Sequence, residues 1–105
     1  MSFRFIWDDE KNRQNRHRHG ISFEEAVAVF EDPYLIELYD KAHSTMEEER
    51  YIGLGMIEHM VILFVVFTDR AGTIRLISAR RAEPIEQELY YEHFKKIVSE
   101  ANSGN

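Results

Sequence analysis

The sequence predicts an α+β fold built on a small, mostly antiparallel sheet, and three observations lead there. Four strand-like segments follow one another between Tyr34 and Ala79, most of them through short turns. Two helical segments precede them and one follows, each with its own start signal. No linker, repeat or low-complexity stretch interrupts the 105 residues. One domain over residues 1–101 is therefore expected, with a disordered tail over 102–105. The element order reads β-α-α-β-β-β-β-α, with the helices packed on the sheet.

Phe3 to Trp7 (FRFIW) is a short aromatic strand. Asp8 or Asp9 caps a first helix, with acids in its first turn, and Gly20 suits a left-handed stop after His19. This helix has no apolar stripe. Lys11, Asn15 and Arg18 or His19 share one face instead, so it is held by its ends or by buried polar contacts, or it faces a ligand. Ser22 and Glu25 form a capping box for a second helix, with Ile21 as staple. Phe23, Ala26, Val27 and Phe30 give that helix a core face, and Asp32-Pro33 ends it.

Tyr34 to Tyr39 reads as a strand, Asp40 to Glu49 as a polar loop, and Arg50 to Ile57 as a strand left bare on one face by Gly53 and Gly55. Glu58-His59 turns the chain. Met60 to Thr68 is apolar on both faces and is the expected central strand. Asp69 to Gly72 turns again into Thr73 to Ala79. Pro84 opens the last helix, whose stripe is Tyr90, Phe94, Ile97 and Ala101, with Leu89 and Val98 at its edges.

Composition narrows the function. Apolar residues make up 44% and charged residues 30%, as in an ordinary soluble domain. No apolar run is long enough to span a bilayer, and the N-terminal patch runs straight into acids, unlike a signal peptide. With no cysteine there is no thiolate metal site, and a reducing cytoplasm fits. The net charge of −6 argues against general nucleic-acid binding. Yet Lys11 to His19 and Arg70 to Arg81 are two basic islands without acids, as a local anion site or a solvated face would be.

Strict alternation in the last strand places Arg80 on the face of Ile74 and Leu76 unless a bulge flips the register. A guanidinium there needs an anion, which Glu49, Glu86 or a phosphate can supply. Cleaving RNA without metal requires a base for the 2′-hydroxyl, an acid for the leaving oxygen and positive charge on the phosphate. His19 suits acid or base work, and equally suits capping helix carbonyls. Glu86 suits a base, helix-terminus electrostatics or the pairing of Arg80. His17 and His19 do not share a helix face, so a metal site lacks geometry, and Gly53-Leu54-Gly55 is followed by no phosphate-loop lysine.

Taken together, these segments resemble the BrnT toxin family. The pattern comprises Trp7-Asp8, Lys11, Asn15, Arg18-His19-Gly20-Ile21-Ser22-Phe23-Glu24-Glu25-Ala26, Phe30 and Asp32-Pro33. It continues through Glu49-Arg50, Gly55, Phe67-Thr68-Asp69-Arg70, Arg75 to Ala82, Glu86 and Tyr90. The resemblance implies a fold similar to RelE-type toxins and a cofactor-free, metal-independent endoribonuclease that inhibits translation. It also implies a DNA-binding antitoxin similar to BrnA, without which no direct DNA binding is expected. It assigns Arg50 and Arg80 to phosphate and transition-state contacts, Lys11, Arg70, Arg75 and Arg81 to RNA binding, and His19 and Glu86 to proton transfer. The chain departs from the family where Ser or Thr and a basic pair are common: Glu83, Pro84 and Ile85 stand there. That departure, with the net acidity, motivates an alternative, a non-catalytic partner-binding module of the same fold.

Overall fold

The computed structural model describes residues 3–103. Five strands form one sheet: β1 (Arg4–Ile6), β2 (Ile36–Tyr39), β3 (Tyr51–Ile57), β4 (Val61–Arg70) and β5 (Thr73–Arg81). Their spatial order is β1-β5-β4-β3-β2, which puts the doubly apolar β4 at the centre as expected. All neighbours pair antiparallel except β1, which lies parallel to the start of β5. Three α-helices complete the fold: α1 (Asp9–His19), α2 (Phe23–Ala26) and α3 (Pro84–Ser103). The expected element order is thus observed. α3 continues through Asn102 and Ser103, and the rest of the expected tail, residues 104–105, lies outside the described residues.

The two faces of the sheet carry separate cores. Ile21, Phe23, Ala26 and Val29 pack on Leu63, Val65, Phe67, Ile74, Leu76 and Ala79. On the other face Tyr90 of α3 packs with Leu54, Ile62 and Ala82, flanked by Phe64 and Phe94.

The helix caps follow the sequence. Asp8 accepts from the Lys11 amide at 3.0 Å, and Gly20 closes α1 at φ +72. The polar α1 is seated by two buried asparagines rather than by apolar side chains. Asn12 accepts from the Phe23 amide at 2.8 Å and donates to Glu24 at 2.7 Å. Asn15 exchanges two hydrogen bonds with the Ala79 backbone, at 2.8 and 3.0 Å, and donates to the Ile21 carbonyl at 2.9 Å. Because β1 pairs only with Thr73–Arg75, Asn15 takes the place of a strand neighbour farther along β5.

The second helix departs from expectation. The capping box of Ser22 and Glu25 is present, but the α-helix lasts one turn and continues as a 3-10 helix over Val27–Glu31. Burial follows a period of three, at Phe23, Ala26 and Val29, while Val27 and Phe30 are only partly covered. The tighter winding lets Val29 meet the bare face of β3, where Gly55 leaves room.

At the end of that helix the Asp32 carboxylate ties three elements together. It accepts from the amides of Tyr34 and Met56, at 2.9 and 2.7 Å, and from the Tyr90 hydroxyl at 2.6 Å. Burial, with Asp32 beside it, pushes the Tyr90 phenol far above its ordinary range. The stripe of α3 is buried at Tyr90, half-buried at Phe94 and Ile97, and exposed at Ala101.

Candidate functional site

Seven of the eight expected site residues gather along β5, in three groups rather than one. A bulge decides which way they face. Val66 pairs with Ser78 but Phe67 pairs with Leu76, so Ile77 is an extra residue in β5. Beyond it the alternation is inverted. Ala79 joins Ile74 and Leu76 in one core, and Arg80 turns to the α3 face. The placement of Arg80 on the face of Ile74 and Leu76, expected from strict alternation, is therefore corrected by the bulge.

Arg80 forms the first group. Its Nη1 and Nη2 donate to Glu86 Oε1 and Oε2, both at 2.8 Å, and Nη1 also reaches the Arg81 carbonyl at 3.1 Å. The guanidinium lies 4.0 Å from the centre of the Phe64 ring. Glu83 stands 3.7 Å from Nη2. The hydrogen bonds from Arg80 hold the Glu86 carboxyl below its usual range, against the opposing effect of burial. Of the partners open to Arg80 in the sequence, the structure selects Glu86; Glu49 instead accepts from the Tyr51 hydroxyl at 3.2 Å.

The second group lies at the other end of the same face. Glu48 bridges Arg50, whose Nε donates to it at 3.1 Å, and Arg75, whose Nη2 also donates to it. Arg70 donates to the Glu47 carbonyl at 3.1 Å. The Arg50 hydrogen bond is the main reason that the Glu48 carboxyl sits below its usual range. Arg75 pairs with Thr68 and Arg80 with Phe64, four residues apart on β4. Both arginines therefore face the same side, roughly 13 Å apart along the strand. Glu48 was visible in the sequence only as one of three acids in a loop. Its two partners come together through the return of that loop, which no local pattern encodes.

The third group is a cleft of about 200 Å³ between α1 and the edge of β5, lined by Lys11, Gln14, Asn15, Arg18, His19, Ile77 and Ser78. It contains no carboxylate. Among the described residues the side chains of Lys11, Arg18 and His19 form no ion pair, and His19 makes no hydrogen bond to a helix carbonyl. The Gly20 amide caps Arg16 instead, at 2.8 Å. Ser78, opposite Val66, lies midway between Arg75 and Arg80, so the cleft meets the arginine face at its middle. Sequence reading missed Ser78, because only the bulge at Ile77 turns it to the face of Arg75 and Arg80. Arg81 stands apart, beside Ile21 and Glu25. Among the described residues no three His, Asp or Glu side chains are grouped to hold a metal ion.

Residues 7–86 match the model of a family described as the ribonuclease toxin, BrnT, of type II toxin-antitoxin systems. The chain belongs to the BrnT family. A type II toxin works with an antitoxin, so membership implies such a partner. All eight expected site residues of this BrnT-family chain fall within the matched span, whereas α3 beyond Glu86 falls outside it. The fold is also that of the crystal structure of the Brucella abortus ribonuclease toxin, BrnT. The TM-score is 0.61 at 22% identity, over 78% of this chain and 99% of that one. Among curated proteins no match is found. No helix among the described residues is long and apolar enough to cross a membrane.

Proposed function

We propose that this chain is a metal-independent endoribonuclease that inhibits translation and is silenced by a BrnA-like antitoxin. The observation that carries the reading is the α1–β5 cleft, where Lys11, Arg18 and His19 surround Ser78 with no carboxylate among them. Unpaired cations on an acidic protein concentrate phosphate attraction at one place.

Lys11 and Arg18 hold the backbone phosphate there. His19 moves the proton, taking it from the 2′-hydroxyl as that oxygen attacks phosphorus or giving it to the departing 5′-oxygen. Glu86 is a poor base, because Arg80 holds it ionised below its usual range. It positions Arg80 instead. Nε and the second hydrogen of Nη2 form the edge of the guanidinium that Glu86 leaves uncovered, where a phosphate oxygen would displace the exposed Glu83 carboxylate, 3.7 Å from Nη2.

The non-catalytic reading draws on a different observation: Arg50, Arg75 and Arg80 are each already paired with a carboxylate. Labelled RNA incubated in EDTA with the purified chain, His19→Ala and Arg80→Ala separates the two. The nuclease reading expects cleavage that falls at least tenfold in both variants, and growth arrest on expression of the wild type alone. Intact RNA with folded wild-type protein would favour the partner-binding module.

A further inference from the structure

Two hollows, of about 580 and 410 Å³, meet along the end of the sheet and share Ala28, Ile57 and Glu58. Together they form a trough from α3 to the C-terminal end of α1. Its floor is apolar, with Ala28 and Ile57 at the centre and Tyr91 and Phe94 at one end. Its walls carry the carboxylates of Glu24, Glu25, Glu31, Asp32 and Glu58, with Arg81 as the one arginine or lysine among them. None of these five forms a salt bridge among the described residues; Glu24, Glu25 and Asp32 accept hydrogen bonds from uncharged groups and keep their charge. Elsewhere Glu10, Glu48 and Glu86 each hold an arginine. At the rim the β3–β4 hairpin keeps His59 and Met60 at φ 62 and 61, and leaves Met60 72% exposed. Positive φ at two adjacent residues is what a tight hairpin turn demands, and here the turn sets the Met60 side chain at the rim.

We propose that this trough seats a cationic, amphipathic segment of the antitoxin. An apolar floor between carboxylate walls is complementary to apolar side chains flanked by Lys and Arg. The inference rests on the toxin reading for its partner, but its geometry is separate from the arginine face. The trough ends at Gly20, next to His19 of the cleft. A segment lying along it therefore reaches the mouth of the RNA site, which gives the antitoxin a route to silencing without occupying Arg50, Arg75 or Arg80.

The test uses the full chain and its antitoxin, obtained by co-expression and separated before titration calorimetry at several salt concentrations. The variants are Glu31→Lys with Glu58→Lys, and separately Met60→Asp; each alters an exposed side chain. The double variant should weaken the complex by about tenfold or more and flatten its salt dependence, with an unchanged melting temperature. Met60→Asp should weaken it at every salt concentration. Wild-type affinity in both would overturn the proposal. So would a trough that closes a dimer of this chain, lost in Met60→Asp while antitoxin affinity stays unchanged. RNA cleavage is read in parallel. If trough variants lose the antitoxin while even the wild type leaves RNA intact, the docking surface stands and the nuclease reading falls.

Discussion

Arg80 and Glu86 meet end-on, Nη1 and Nη2 each 2.8 Å from its own carboxylate oxygen, across the junction of β5 and α3. The pair joins the last strand to the first turn of the last helix. Glu86 also accepts from the Glu83 amide at 2.7 Å and so caps that helix. One contact thus fixes the helix start and the direction of the guanidinium.

Arg80 should accordingly show two separable losses. Arg80→Ala strands a largely covered Glu86 carboxylate and bares the Phe64 ring, and should lower stability by about 1.5–3 kcal/mol in urea unfolding. Arg80→Lys keeps the charge but cannot fill both carboxylate oxygens in one plane. It should recover part of that stability while RNA cleavage remains at least tenfold below wild type. Full cleavage by the lysine variant would show that point charge alone suffices and that the fork serves structure only.

Glu86 also sets an acid limit. Its folded carboxyl titrates below the ordinary glutamate value. A depressed value means that its stabilisation is complete above the unfolded value, about 4.3, and is lost as pH falls through the folded one. The urea-midpoint difference between wild type and Glu86→Gln should stay constant near neutral pH and shrink below about 4.3. A difference that persists at lower pH would assign the pair's effect to packing rather than charge.

Much of this architecture was legible locally. The caps at Asp8, Gly20 and Ser22, and the central β4, follow from residue chemistry within a few positions. The orientation of Arg80 was not, because a one-residue bulge leaves no mark in a strand whose residues suit either face. The grouping of Arg50 with Arg75 was equally hidden, since it depends on Glu48, 27 positions away from Arg75. The polar α1 announced that something unusual held it, and the holder proved to be two asparagines.

Asn15 is the more exposed of the two to mutation. Replacing it by Ala leaves the Ala79 amide and carbonyl and the Ile21 carbonyl without their partners in a buried setting. A loss of about 2–4 kcal/mol is expected. Asn15→Asp can still accept from the Ala79 amide but cannot donate to either carbonyl, so it should rescue little. Amide exchange at Ala79 reads the effect directly, and protection unchanged in Asn15→Ala would show that the strand edge is held by something else.

The two glycines of β3 make opposite predictions from one geometry. A Cβ on Gly55 would lie 2.7 Å from Val29 Cβ and 3.2 Å from the Val29 carbonyl oxygen. Neither neighbour can rotate away, so Gly55→Ala must push the 3-10 helix off the sheet, at a cost of about 1–3 kcal/mol. A Cβ on Gly53 meets Leu35 and Phe67 only at 3.4 Å, an ordinary contact with side-chain atoms. Gly53→Ala should therefore be near neutral, or stabilising through the smaller freedom of its unfolded chain. Val29 belongs to the core opposite Arg80, so the molecules of Gly55→Ala that remain folded should cleave RNA at the wild-type rate. Thermal unfolding of both variants, with cleavage normalised to the folded fraction, checks the pair. Equal destabilisation would mean that strand propensity, and not the approach of Val29, demands glycine here.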